Sequence, residues 1–94
     1  MGISFLKGSA RAGYSPALEF LGNLYAYSKK VKNELVSAHT FFYIASIIEN
    51  RVDIGYHLII EDEFGISEEE ANRSKEAAKY CMEVGLENCA ILAE

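Results

Sequence analysis

"PALEFLGNLYAY" (16–27) is the stretch on which the fold turns. It is crowded with apolar side chains, yet Gly22 stands in its middle, where glycine costs about 1 kcal/mol relative to alanine in a helix interior. Pro16 suits a first helical turn, because its missing N–H would be unpaired there anyway, and Ser15 is the expected N-cap. Ala17, Leu21, Leu24, Tyr25 and Ser28 then recur at helical spacing. The stretch is a helix with one apolar stripe. Gly22 is expected where that helix meets another closely.

Downstream, the charged connector "KKVK" (29–32) breaks the apolar pattern, and Asn33 is the expected cap of the next helix. Leu35, Ala38, Phe42, Ala45 and Ile48 line one face of that helix, with Phe41 and Ile44 beside it, and "ENR" (49–51) closes it. A third helix is predicted over 52–64, with Ile54, Leu58 and Phe64 apolar and Gly65 as its terminating residue. "SEEE" (67–70) is a capping box: Ser67 caps, and Glu70 reaches back to the Ser67 N–H. Its glutamates also favour the positive end of the helix dipole. A fourth helix runs to about 84, Gly85 interrupts it, and "LENCAILAE" (86–94) begins a fifth. Upstream, residues 3–12 read as the tail of a helix ending at Gly13.

A chain of 94 residues is expected to form one domain, 1–94, or a fragment of an array, with a modest core that buries about 60–65% of the unfolded surface. Half of its residues are apolar and only one is proline, so the composition favours an all-helical domain. The formal net charge is −5, which disfavours a sequence-independent nucleic-acid binder. The apolar run "FFYIASII" (41–48) is far short of the roughly 20 residues that span a bilayer. The start, "MGISFLKGSARAGYS", lacks the charged and then apolar layout of a signal peptide. Leu6 stands where myristoylation wants Ser or Thr. A cytoplasmic protein without membrane or nucleic-acid contact is expected.

Small residues recur at a spacing of 33: Ala12, Ala45 and Ala78; Ala38 and Ala71; Gly22 and Gly55. Each glycine is expected inside the first helix of a pair and each alanine set inside the second. Stacked helix pairs need small residues at such places, since they let backbones approach. An ordinary non-repetitive helical bundle is the alternative.

These residues resemble the Sel-one-like repeat, a relative of the tetratricopeptide repeat. "SARAGYSPALEFLGNLY" (9–25) supplies Gly13, Ala17, Leu21-Gly22 and Tyr25 in the family's order, and "SAHTFFYIAS" (37–46) supplies Ala38, Phe41, Phe42 and Ala45-Ser46. "GISEEEANRSKEAAKYCMEVG" (65–85) looks like the second helix of a diverged unit. The usual Gly-x-Gly-Val turn is replaced by "KKVK", and Asp53 stands where the second unit should open with alanine. The resemblance implies a short αα-hairpin array of about five helices, forming a right-handed superhelix of two to two-and-a-half repeats. It also implies a non-enzymatic protein that binds other proteins.

Cys81 and Cys89 straddle Gly85. A cysteine-rich branch of the family implies a disulfide for this spacing. With no export signal visible, two buried reduced thiols are expected instead. Asp53, His57 and Glu61 fall at i, i+4 and i+8, as metal ligands on one helix could, but no complete ligand set accompanies them. His39 has no i+4 partner, and no nucleophile–histidine or phosphate-loop motif is visible. No cofactor, metal or catalytic residue is expected.

Charge is distributed unevenly. Glu61, Asp62 and Glu63 precede one turn, Glu68, Glu69 and Glu70 follow it, and Lys29, Lys30 and Lys32 occupy another connector. Such asymmetry speeds encounter with a partner of opposite charge. The expected binding residues are the aromatic and amide groups Asn23, Tyr27 and Tyr56, with Glu61, Asp62, Glu63, Glu68 and Glu69 for steering; Glu70 belongs to the cap. Short, acidic and cytoplasmic together suit an immunity-type inhibitor of a basic toxin such as a nuclease. An adaptor or assembly scaffold is the alternative, and a metal or thiol enzyme the rival from another class. A partner or a second copy, forming a homo-oligomer, would cover the flank that a short array exposes.

Overall fold

A computed structural model describes residues 3–27 and 35–92. It holds five α-helices: α1 (Ile3–Arg11), α2 (Ser15–Tyr27), α3 (Leu35–Ile48), α4 (His57–Glu63) and α5 (Glu68–Val84). Short 3-10 turns follow at Val52–Ile54, Leu86–Asn88 and Ala90–Leu92, and no strand occurs among the described residues. The chain is all-helical, as expected. Connector 28–34, with Ser28, "KKVK" and the Asn33 cap, lies outside the described residues.

Helix α3 is the axis of the molecule. Every residue from Ala38 to Ser46 is buried, because α2, α4 and α5 pack around it. A helix buried on all sides needs no polar stripe, so the single face predicted for it is replaced by a full circumference. Its hydroxyls are satisfied internally: Thr40 donates to the Val36 carbonyl at 2.9 Å and Ser46 to that of Phe42 at 2.9 Å. The principal extents of 30 × 29 × 20 Å describe elements wrapped round one helix, and α1 meets the C-terminal 3-10 turns. Arg11 donates to the Leu92 carbonyl across that seam.

Helix ends follow their local signals. Gly13, at φ 89°, closes α1 in a Schellman motif, with Tyr14 N–H on the Ser9 carbonyl and Gly13 N–H on that of Ala10. Asn50, at φ 56°, does the same for α3, its neighbour Arg51 bonding back to Ser46. The capping box is present: Glu70 N–H donates to Ser67 Oγ at 3.1 Å, and Ser67 N–H to Glu70 Oε1 at 3.0 Å. Ser15 is not a cap. It is the first residue of α2, and its hydroxyl donates to Glu49 at 2.8 Å.

Gly22 sits where expected. A Cβ there would lie 2.7 Å from the Phe42 ring, so glycine is what lets α2 and α3 approach. The other helical expectations need correction. The helix predicted over 52–64 breaks at Gly55, which is extended (φ −76°, ψ 164°), leaving a 3-10 turn and the seven-residue α4. A Cβ on Gly55 would collide with Ser46 Oγ and the His57 ring, so contact with α3 sets the backbone there. The fifth helix is also replaced, by two 3-10 turns. Gly85, at φ 95°, turns the chain back so that Cys89 pairs with Cys81 in a disulfide, Cα to Cα 4.8 Å. The two expected free thiols are therefore joined.

Candidate functional site

The predicted binding residues fall into three places. Asn23 and Tyr27 are exposed on α2, whereas Tyr56 is exposed beside Phe42 of α3, the Tyr56 and Phe42 rings 5.7 Å apart. Asp62, Glu63, Glu68 and Glu69 are exposed at the turn between α4 and α5. Glu61 departs from that group. Its Oε2 accepts from His39 Nε2 at 2.8 Å and lies 3.8 Å from Lys75 Nζ. Nor do Asp53, His57 and Glu61 share a helix face, because Gly55 separates Asp53 from the other two; no metal-binding group of three occurs among the described residues.

Asn23 and Tyr27 belong to a larger surface. A groove of about 490 Å³ runs between α1 and α2, lined by Phe5, Leu6, Ser9, Tyr14, Pro16, Ala17, Phe20 and Leu24. A second depression, of about 350 Å³, shares Phe20 and Leu24 and continues to Asn23 and Tyr27. Phe5, Tyr14, Phe20 and Tyr27 are each between 57% and 61% exposed. None of the described lining residues is charged, in a chain that is 24% charged. Scattered exposed aromatics need no explanation, but a contiguous patch of them marks a contact surface. At its Tyr27 end the patch reaches Phe64, ring centroids 5.3 Å apart, directly after the acidic end of α4. Sequence reading found Asn23 and Tyr27 but missed Phe5, Tyr14 and Phe20, since helical spacing alone does not say which apolar residues stay uncovered.

Beneath the opposite side lies a polar chain that sequence reading also missed. His39 Nδ1 lies 2.6 Å from Ser74 Oγ, which lies 2.8 Å from Thr40 Oγ1; with Glu61 on Nε2, helices α3, α4 and α5 are joined through one imidazole. Tyr43 stacks on His39, and His57 meets Tyr43 edge-on while holding Ser46 at 3.2 Å. Burial lowers the His39 pKa despite the Glu61 bond, so its neutral ring donates Nε2–H to Glu61 and accepts from Ser74. His57 falls to about 4, through burial first and His39 second. Burial would raise Glu61, but the bond from His39 and the Lys75 charge outweigh it and hold it below the usual range. Glu61–His39–Ser74 has the connectivity of a nucleophile triad. Yet Ser74 is 1% exposed and its hydroxyl is shared with Thr40, so the chain's evident work is to tie helices together.

Comparison with known proteins returned nothing similar: no family model, no curated protein and no solved structure matches this chain.

Proposed function

We propose that the chain is a non-enzymatic, protein-binding helical module that docks its partner on the α1–α2 face, built from stacked helix pairs like the Sel-one-like repeats it resembles. The observation that carries this reading is the uncharged aromatic groove, exposed and contiguous over two helices. Aromatic side chains supply large contact area and concentrate binding energy. The repeat reading draws support from Gly22, packed inside α2 against Phe42, and from the buried Ala38, Ala45, Ala71 and Ala78; Gly55, outside any helix, and Ala12, exposed in the turn after α1, do not follow it.

The specific form we favour is an immunity-type inhibitor of a basic toxin such as a nuclease, since the turn bearing Asp62, Glu63, Glu68 and Glu69 adjoins the groove through Phe64 and Tyr27. An adaptor is the second reading, favoured by the absence of charge within the groove itself. No helix among the described residues is long and apolar enough to cross a membrane. A cytoplasmic setting goes with reduced cysteines and the Cys81–Cys89 bond with an oxidising one, so thiol titration of protein from its native cells decides the compartment.

Affinity capture with the parent and with Phe20→Lys tests the reading. A protein held by the parent and lost by the variant is expected, and the purified pair then separates inhibitor from adaptor: an inhibitor abolishes its partner's nucleic-acid cleavage. Equal capture by both baits removes the α1–α2 face from the proposal.

A further inference from the structure

Helix α1 leans on a segment that holds no α-helix of its own. Its nine residues are fewer than the roughly 12 to 15 that an isolated helix needs in water, so α1 persists by packing. It packs on α2 and on the two 3-10 turns of segment 86–92. Its buried residues, Leu6 and Ala10, share one apolar cluster with Cys89 and Leu92 of that segment, and Leu86 and Ile91 pack against the same cluster. Arg11 adds its bond to the Leu92 carbonyl. In turn, α1 supplies Phe5, Leu6 and Ser9 to the α1–α2 groove.

Segment 86–92 has little internal strength. Its backbone bonds reach back only three residues, from Asn88 N–H to Gly85, Cys89 to Leu86 and Leu92 to Cys89. It swings away from α5 at Gly85, at φ 95°, and the Cys81–Cys89 bond ties it back. Both cysteines are at most 5% exposed, so the bond lies beneath the strap that it fastens. Thiol–disulfide exchange needs access to a sulfur. Reduction therefore requires the strap to lift. The rest of the fold has separate ties: Gly22 seats α2 on Phe42 of α3, and His39 links α3 to α4 and α5. Neither tie passes through α1 or the strap.

We propose that segment 86–92 is a thiol-sensitive strap: closed by Cys81–Cys89 it holds α1 in place, and reduction of the bond by a dithiol releases strap and α1 together while α2 to α5 stay folded. One thiolate of the reductant attacks a sulfur of the bond and forms a mixed disulfide. The second reductant thiol breaks that disulfide, so two electrons and two protons pass to Cys81 and Cys89 and the reductant leaves as its own disulfide. The strap then loses the short loop that confined it, Leu92 leaves α1, and α1 opens as part of one local unit. The α1–α2 face is dismantled with or without a partner docked on it, which makes the strap independent of the binding reading above.

Hydrogen exchange on the full chain, oxidised and then reduced with dithiothreitol, is the test. Amides of 3–11 and 86–92 should exchange roughly 10- to 100-fold faster after reduction, by one common factor. Those of 38–46 on α3 should stay at least about tenfold more protected than either segment, which marks the opening as local. Reoxidation should restore the original protection. With the bond intact, Leu92→Ala should be reduced by dithiothreitol about tenfold faster than the parent, because its strap lifts more often. Acceleration confined to 86–92 means that α2 alone holds α1, and it overturns the proposal. Protection that falls to one level across 3–11, 86–92 and 38–46 overturns it too, by making the bond a staple of the whole fold. A reduced protein with the oxidised protein's protection throughout shows that packing alone holds the strap. If Leu92→Ala is reduced at the parent's rate, the strap does not shield the bond, and the proposal falls.

Discussion

The outer face of α1–α2 and the junction of α3, α4 and α5 depart from the usual partition of polarity in opposite directions. On the outer face four aromatic rings stand in solvent with no charge among them. At the junction two histidines, a threonine and two serines are buried, with a partly buried glutamate closing the chain. The junction is self-sufficient: every buried side-chain polar atom among the described residues has a partner. The outer face is not, since four of its aromatic rings stand more than half exposed among the described residues. A buried polar group is costly when left unpaired and nearly neutral when paired, whereas exposed apolar area is tolerated but useful only in contact. Stability should therefore be concentrated at the junction and binding at the face.

The largest test of that division is His39→Ala. It removes a fully buried ring, takes away one of Ser74's hydrogen-bond partners and leaves Glu61 without its bond from α3. Losing a fully buried ring together with its hydrogen bonds costs about 2–4 kcal/mol. Denaturant unfolding measures it, and a loss under about 1 kcal/mol, no more than a surface change gives, would show that the junction is not a stability centre.

Acid attacks the same place without a mutation. His57 has a folded pKa of about 4 against an ordinary 6.5, so the unfolded chain binds its proton first as pH falls. The associated stability is complete above pH 6.5, declines from there towards pH 4, and amounts to on the order of 3 kcal/mol. His39, lowered for the same reason, acts in the same direction; Glu61, held below the usual carboxylate range, adds its loss only at lower pH. Melting temperatures from pH 7.5 to 4 should fall for the parent and fall less for His57→Gln. An identical slope in both proteins assigns the acid sensitivity elsewhere.

Two closures of the fold come next in size. Reduction of Cys81–Cys89 should cost about 2–3 kcal/mol in a loop this short, and should loosen Leu92 from α1 first. Hydrogen exchange with and without reductant reads it; unchanged protection of residues 86–92 means that packing alone holds the segment. Gly22→Leu should destabilise by about 1–3 kcal/mol, because Phe42 cannot retreat between α2 and Tyr56. A rise in melting temperature for that variant removes the close contact from the account.

How far the sequence reveals all this depends on the range of the interaction. Gly13, Pro16, Ser67 with Glu70, and Gly65 act within one turn of helix, and each marks an end that the structure places within a residue or two. Gly22 and Gly55 look alike in sequence, 33 residues apart, yet one continues a helix and the other breaks it. A Cβ on Gly55 would meet Ser46 Oγ, nine residues back on α3, a neighbour that no helical spacing announces. The junction is illegible for the same reason. His39 meets Ser74 across 35 residues and Glu61 across 22, with no periodicity linking them. Glu61 consequently reads as one more carboxylate of an acidic run. The cysteine spacing suits both a thiol pair and a disulfide, and it is the turn at Gly85 that brings the sulfurs together. On the outer face, Asn23 and Tyr27 are legible as amide and aromatic groups suited to contacts, but the exposure of Phe20 depends on how α1 packs beside α2, which helical spacing does not give.

The smallest expected effect is the one that sharpens the comparison most. Phe20→Lys places a charge in the groove, where the side chain is already 57% exposed and touches no buried polar group. Surface substitutions of that kind stay within about 0.5 kcal/mol, in either direction. The variant should unfold at the parent's denaturant midpoint, with an unchanged helical spectrum. Its solubility should rise, because an exposed aromatic patch promotes self-association that a charge opposes. His39→Ala should show the reverse: a large loss of stability, and retained binding of a partner under conditions where the fold persists. The two variants thus exchange roles between stability and binding. If Phe20→Lys unfolds much more easily than the parent, the ring is part of the core, and the outer face is only the uncovered edge of a single packing unit.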